Sequence, residues 1–448
     1  MTLRAVSSNS LLALGLAFCL AGLVPALPQR RADTETSPYV TEVSDYIDSI
    51  SEELWEINTE IHSNPELGFE EVIAHQLLTD YMSEQDGWTV ERSAYNISTA
   101  FVAVFEGSGD GPVVSFNAEY ALATAHIMRE HELPGRVVLY GTPAEEGGAG
   151  KVRLLEAGAY ADQEVDISLI SHPSNLGDTP FMSTTANEKF FVEYFGSEAH
   201  AANSPWEGLN AQDAIVLAYN ALSMLRQQSE TTEIIHGIIT SGGSRMNIIP
   251  SYASGEFGVR APTTAALQNL TERVRACFEA GALATGTELN FTMLDNGYAE
   301  MINNVVLAHS YTNWFQGLGG EVVPEQIARA TQGAASTDQG NVSQEIPSIS
   351  VLFLIENEDG SIPESGPHTE GFEVAAGTRR AFDKSLMVAK ALAGVALDIL
   401  TVDGLLEAVQ EEFENTERAA PTYNHGHGDD HDHSHDGDLH DHAYGHRL

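Results

Sequence analysis

The sequence predicts an α/β fold: a mostly parallel sheet forms a catalytic-type domain, interrupted by an inserted ferredoxin-like α+β sandwich. Two patterns carry this. Hydrophobic period two alternates with period 3.6 along most of the chain, and a βαββαβ order of elements lies between residues 184 and 296. Composition allows it, since 42% of the 448 residues are hydrophobic and 17 Phe, 14 Tyr and 4 Trp can fill a sizeable core.

Taken in order, residues 1–26 read as a signal peptide. Arg4 gives a positive start, Leu11 to Leu23 is an apolar run, and Val24-Pro25-Ala26 offers small residues for cleavage. The run is too short to span a membrane, so the protein is expected to be secreted. Residues 27–183 form the first half of the catalytic domain. Tyr39 to Ser83 is helical, with a break at His62-Ser63-Asn64-Pro65-Glu66-Leu67-Gly68. Strands follow at 100–105 and 112–117, joined by a Gly-rich stretch at 107–111 that reads as a hairpin turn. Then come a helix (122–131), a strand (136–140), a helix (151–157) and a strand (167–170).

The inserted domain, 184–296, holds strands at 190–195, 234–240, 255–259 and 288–293 and helices at 211–226 and 265–284. The second catalytic half, 297–406, has a helix (303–317), a strand (348–355) and a long helix (375–400). The remainder, 407–448, is an acidic tail with eight of the 17 histidines between His425 and His446. Such a segment cannot bury a core and is expected to be disordered. Its imidazoles suit either loose metal chelation or a solvated, pH-responsive tail.

With 65 Asp+Glu against 21 Lys+Arg, the formal charge is −44. Nucleic acid and anionic membrane surfaces would repel it, so neither is an expected partner. Cys19 leaves with the signal, so Cys277, on the apolar side of a helical pattern, is expected to be a buried thiol without catalytic use. Four Asn-x-Ser/Thr sequons, at Asn96, Asn269, Asn290 and Asn341, agree with secretion.

Chemistry is sought at the carboxyl edge of the parallel sheet, where three candidates converge. Strand 136–140 ends in Pro143-Ala144-Glu145-Glu146-Gly147-Gly148, a loop with two adjacent carboxylates. One could bind a metal while the other moves a proton, or both could simply favour a helix N-terminus. Strand 167–170 ends in Ser171-His172-Pro173, and Pro367-His368-Thr369 precedes the last long helix. Glu and His without thiolates suit a zinc-like ion with an open position.

These motifs stand in order with Glu198-Ala199-His200-Ala201-Ala202, Met246-Asn247-Ile248-Ile249-Pro250 with Arg260, and Thr337-Asp338-Gln339-Gly340-Asn341-Val342-Ser343. The set resembles the aminoacylase, carboxypeptidase-G and amidohydrolase family of co-catalytic zinc peptidases, most of all its aminoacylase-like dipeptidase branch, over about residues 40–400. The resemblance implies hydrolysis of amide bonds in dipeptides or N-acyl amino acids by a homodimer. It makes Glu145 the general base, Glu146, His172 and His368 metal ligands, and Asn247 and Arg260 holders of the substrate carboxylate. His200 would stabilise the oxyanion in a neighbouring subunit's site. His62 and Glu66 match a family motif read as structural.

One departure bears on all of this. After the strand ending in Ser115-Phe116-Asn117-Ala118-Glu119-Tyr120 the family continues with an Asp and a Gly-His-Ala-Cys-Gly-His-Asn loop, whereas here Tyr120 runs straight into Ala121-Leu122-Ala123-Thr124-Ala125-His126. Roughly two dozen residues are missing, with a His and a Cys of the two-metal site. His126 and His131 lie within the following helix and do not replace them, and Ser350 stands where relatives often have another His. Two zinc ions are therefore not expected, and at most one, weakly held. The open readings are a shortened form of a true hydrolase, an inactive relative that binds peptides or partners a subunit, and a secreted metal-binding protein.

Overall fold

The computed structural model describes residues 37–117, 120–181, 184–294, 297–331 and 335–418. The signal peptide, Cys19 and the histidines of 425–446 lie outside the described residues. In chain order the elements are α1 (Val40–Ser63), α2 (Val72–Ser83), β1 (Trp88–Arg92), β2 (Phe101–Glu106), β3 (Val113–Phe116), α3 (Tyr120–Glu130), β4 (Arg136–Gly141), α4 (Gly150–Glu156), α5 (Ala159–Asp162) and β5 (Ile167–Ser174). The insertion holds β6 (Ala186–Phe195), α6 (Ala211–Leu225), β7 (Ile234–Ser241), β8 (Tyr252–Ala261), α7 (Thr264–Thr285) and β9 (Glu288–Met293). There follow α8 (Val305–Gly317), α9 (Glu325–Ala330), α10 (Gln339–Glu345), β10 (Ser348–Leu354), α11 (Glu370–Ala376), α12 (Arg379–Thr401) and α13 (Leu405–Asn415).

The larger sheet runs β1-β2-β4-β3-β5-β10. Its β4-β3-β5-β10 portion is parallel, while β1 and β2 extend it antiparallel at one edge. This bears out the α/β expectation. The hairpin reading of 107–111 is corrected: β4 lies between β2 and β3. The cause is the β3–α3–β4 crossover, which returns β4 parallel to β3 and into the place beside β2.

Buried Val114, Phe116, Leu139, Leu169, Ile349 and Val351 pack with α1, α3, α8 and α12, whose apolar stripes supply Val43, Ile47, Leu122, Ile127, Tyr311, Phe315 and the Leu392–Leu397 run. The expected helix at 375–400 is two helices. Thr378 ends the first at Gly377 and caps the second, its hydroxyl accepting from Ala381 N at 3.1 Å.

The inserted sheet runs β7-β8-β6-β9, all antiparallel, with α6 and α7 on one face over Phe190, Tyr194 and Phe257, against which Phe278 of α7 packs. That is the predicted sandwich. Cys277 is only half-buried, beside this core, and burial pushes its thiol up. The disordered-tail expectation fails over its first part. Residues 405–415 form α13, which buries Val409 and gives its carbonyl to Asn304 Nδ2 at 3.0 Å. Its apolar stripe faces the core, so acidity on the other face does not prevent folding.

Candidate active site

The parallel arrangement brings β4, β3, β5 and β10 to one carboxyl edge. The loop after β4 carries Glu145 and Glu146; Ala144 enters it with φ 55°, and its N–H donates to Glu71 Oε1 at 2.8 Å. Tyr298 Oη, in the segment that leaves the insertion, donates to the Glu145 carbonyl at 2.7 Å. The loop is thus clamped from both sides.

Below it, α4 begins at a buried ion pair. Lys151 Nζ lies 2.8 Å from Asp338 Oδ1, and Lys151 N donates to Asp338 Oδ2 at 2.9 Å. Burial pushes the Asp338 carboxyl up, and the Lys151 ammonium pulls against it. Asp338 thereby ties the 337–339 segment to the start of α4.

His172 stands on β5, where Nε2 lies 3.4 Å from Glu145 Oε1 and Nδ1 lies 3.0 Å from Ser350 Oγ on β10. Burial alone would raise the Glu145 carboxyl. The hydrogen bond from His172, the Lys151 and His172 charges and the Thr337 hydroxyl outweigh it and bring it to about 2. Glu145 is therefore ionised at neutral pH and can accept a proton. Glu146 moves the other way, raised first by burial and then by the Glu145 charge beside it. It faces His368, whose Nε2 lies 3.4 Å from Glu146 Oε2. His368 has φ 67°, a left-handed conformation of the kind that clusters at working sites.

The loop borders a cavity of about 410 Å3, within the size range of small-molecule sites. Glu146, Tyr298, Ser336 and His368 lie on its catalytic-domain side and Asn187, Lys189 and Arg260 on its sandwich side. Arg260 Nη1 donates to Ser336 Oγ at 3.2 Å.

The structure thus brings Glu145, Glu146, His172, His368 and Arg260 together. His200 and Asn247 do not join them within one chain: both are exposed on the sandwich, where Ala201 N donates to the Asn247 carbonyl at 3.0 Å. His62 binds the Glu373 carbonyl at 3.1 Å, and Glu66 accepts from Ile73 N and Ala74 N at the start of α2, both structural roles.

At the departure after β3, α3 begins at Tyr120, so only residues 117–119 connect the two. Asn117 donates from Nδ2 to Thr142 Oγ1 at 3.1 Å, and its buried Oδ1 has no hydrogen-bond partner among the described residues. His126 stacks on Tyr46 with centroids 4.1 Å apart, and His131 pairs with Glu42 at 2.7 Å. Neither reaches the site. Among the described residues no three His, Cys, Asp or Glu side chains gather as ligands to one ion. The donors stand as two His–carboxylate pairs, which do not fit a two-ion centre.

Sequence reasoning missed Lys189, Asn187, Tyr298 and Lys151. The signal for Lys189 was its place among outward residues of a strand whose alternate residues are apolar; that Arg260 shares its face follows only from a strand pairing that the sequence does not show.

A paired Glu and His at a parallel sheet's carboxyl edge thus share a small cavity with an Arg. Residues 189–286 match the model of a peptidase dimerisation domain of the M20 type. The chain is 36% identical to the Xaa-Arg dipeptidases of Mus musculus, over 87% of this chain and 95% of that protein, and of Homo sapiens, over 82% and 90%. It is 25% identical to a p-aminobenzoyl-glutamate hydrolase polypeptide of Escherichia coli (strain K12), over 85% of this chain and 95% of that protein.

A solved structure of a dinuclear metal binding peptidase from the M20 family of Bacillus subtilis superposes with a TM-score of 0.58 at 18% identity, over 79% of this chain and 99% of that one. The chain belongs to the M20 peptidases, the aminoacylase, carboxypeptidase-G and amidohydrolase family of metal-dependent hydrolytic enzymes.

Proposed function

We propose that the chain hydrolyses the amide bond of dipeptides or N-acyl amino acids with a free carboxylate. The observation that carries this is Glu145, hydrogen-bonded to His172 and next in the chain to Glu146, which lines a cavity shared with Arg260. Arg260 holds the substrate carboxylate through its planar fork. Glu145 takes the proton of the attacking water and passes it to the leaving amine. His172, oriented by Ser350, keeps the carboxylate aimed.

Glu146, His172 and His368 would be the donors for a zinc-like ion, His172 then giving up its Nε2 contact with Glu145. Their pairwise arrangement suits at most one loosely held ion, and the proton transfers fall to the chain's own side chains. The dimerisation-domain match supports a homodimer through the sandwich, in which exposed His200 would serve the neighbouring site as oxyanion donor and Asn247 its substrate carboxylate. The apolar run at Leu11 to Leu23 supports a signal peptide and secretion.

Hydrolysis of alanyl dipeptides and N-acetyl amino acids tests the reading. Glu145→Gln should lower kcat/KM at least about a hundredfold with little change in KM. Unchanged turnover in that variant would overturn Glu145 as the base. The short β3–α3 connection and the missing third ligand favour a second reading, a peptide-binding relative without turnover. Binding of the same dipeptides, with none cleaved in the presence of added zinc, would establish it.

A further inference from the structure

The sandwich side of the cavity carries more positive charge than one substrate carboxylate needs. On β6 and β8, Asn187 pairs with Arg260 and Lys189 with Gly258, so these residues share one face of the sheet, the face away from α6 and α7. Lys189 is exposed and lines the cavity, and its side chain makes no hydrogen bond or ion pair among the described residues. The acidic groups nearest in register are occupied or displaced. Glu188 points to the other face and bonds Thr271 Oγ1 at 2.6 Å, and Glu146 faces His368. Glu256 lies one pair further along, opposite Phe191, and comes within 4 Å of no cation among the described residues.

His236, across β8, completes the row His236–Gly258–Lys189. Its imidazole lies over Gly258, where any Cβ would sit 2.7 Å from the ring Cε1. Glycine at this position is what lets the ring lie across the strand towards Lys189. Burial, and then the Arg260 and Lys189 charges, hold His236 below its usual value, so it stands there as a neutral hydrogen-bonding group.

We propose that Lys189 is a second carboxylate site beside Arg260, with His236 flanking it, so that the chain selects substrates whose carboxy-terminal residue has an anionic side chain, aspartyl or glutamyl. The inference rests on the hydrolytic reading above for where the α-carboxylate lies. Lys189 is the diagonal neighbour of Arg260, one strand across and two residues along, about 7–8 Å away at the backbone. With the α-carboxylate on Arg260, the side chain of the same residue and the long lysine side chain together close that span. A carboxylate there meets an unpaired ammonium. A guanidinium there meets a like charge in a partly enclosed space, which is unfavourable. The expected selectivity is therefore the opposite of what the name of the Xaa-Arg dipeptidases describes for those relatives.

The test compares Ala-Glu with Ala-Arg as substrates, and N-acetylglutamate with N-acetylarginine as ligands in calorimetry, on the full chain. The expected result is a higher kcat/KM for Ala-Glu and tighter binding of N-acetylglutamate. Lys189→Ala should lower kcat/KM for Ala-Glu about five- to tenfold through KM, and Lys189→Glu should reverse the preference. Equal or faster cleavage of Ala-Arg by the unaltered chain, or a preference untouched by Lys189→Glu, would overturn the inference and leave hydrolysis standing. Tighter N-acetylglutamate binding that is lost in Lys189→Ala, without cleavage of any dipeptide, would support the carboxylate site while sinking the hydrolytic reading. Failure of both N-acetyl ligands to bind would overturn the site.

Discussion

Lys151 is a cation almost wholly out of water, and Asp338 at 2.8 Å is its partner. Removing one member of such a pair leaves the other charge buried and uncompensated, which typically costs about 3–5 kcal/mol. Lys151→Met should therefore lower the free energy of unfolding by about that much in urea titration. Lys151→Met combined with Asp338→Asn should recover most of the loss, because the amide still accepts from the backbone N–H of residue 151 and no lone charge remains. A double variant as unstable as the single one would show that the pair acts by shape alone.

At this scale the sequence was legible for groups whose type announces chemistry, Glu145, Glu146, His172 and His368, because each follows a readable strand or precedes a readable helix. It was silent on Lys151 and Lys189. A buried Lys in a helix and an exposed Lys in a strand look alike in one dimension, and only the packing of α4 against the 337–339 segment, or of β6 against β8, separates them.

Two helices of this fold take their N-terminal acceptors from outside the helix, one from the loop just before it and one from a distant helix. Glu66 accepts from Ile73 N and Ala74 N at α2, and Glu412 on α13 accepts from Val305 N at 2.7 Å and Val306 N at 2.9 Å at α8. Both satisfy first-turn amides that have no acceptor within their own helix. Glu412→Ala should cost about 1 kcal/mol, as loss of a helix N-terminal acceptor commonly does, and should speed hydrogen exchange at the first turn of α8. Exchange unchanged at Val305 and Val306 would show that α13 is merely adjacent. Most elements were legible because apolar period and length agree for them. The acidic stretch of α13 was misread on composition, since five acidic residues between Glu407 and Glu417 hide a short stripe through Leu405, Leu406 and Val409. The β2–β3 order was misread because a Gly-rich link says that the chain turns, but not which strand will come to lie between its two arms.

Taken as a whole, the molecule is a heavily anionic body. Of the formal −44, the tail from Glu407 contributes −9 and the first 31 residues three positive charges, so residues 32–406 carry −38. Such a charge keeps a protein soluble and works against its compact state by self-repulsion. Many of its ion pairs are exposed on at least one side, as in Arg92–Asp80 and Arg379–Glu52, and each is worth little. Repulsion grows as carboxylates ionise through about pH 4–5 and remains at higher pH.

The individual groups set the acid limit. Glu66, held low by the Ile73 amide, and Glu325, held low by the His309 hydrogen bond, bind protons less readily folded than unfolded. Their contribution is present above the ordinary carboxylate value of 4.5 and is lost as pH falls below it. Asp166, raised by burial, has the opposite sign: its relative contribution is fully present below 3.8 and fades as pH rises through its elevated folded value. Repulsion and Asp166 thus favour lower pH while Glu66 and Glu325 forbid going too low, which puts maximal stability near pH 5 to 6, by about one unit of pH. Imidazoles, which ordinarily titrate near about 6.5, take up protons between pH 8 and pH 5.5 and offset part of the negative charge, so the expected outcome in calorimetry is a Tm higher at pH 5.5 than at pH 8. At pH 8, raising NaCl from about 0.05 to 0.5 M should increase Tm by several degrees, because the Debye length shortens from roughly 14 to 4 Å. A Tm that is flat or falling with salt would mean that exposed pairs outweigh the repulsion, and that the charge is locally balanced despite its sum.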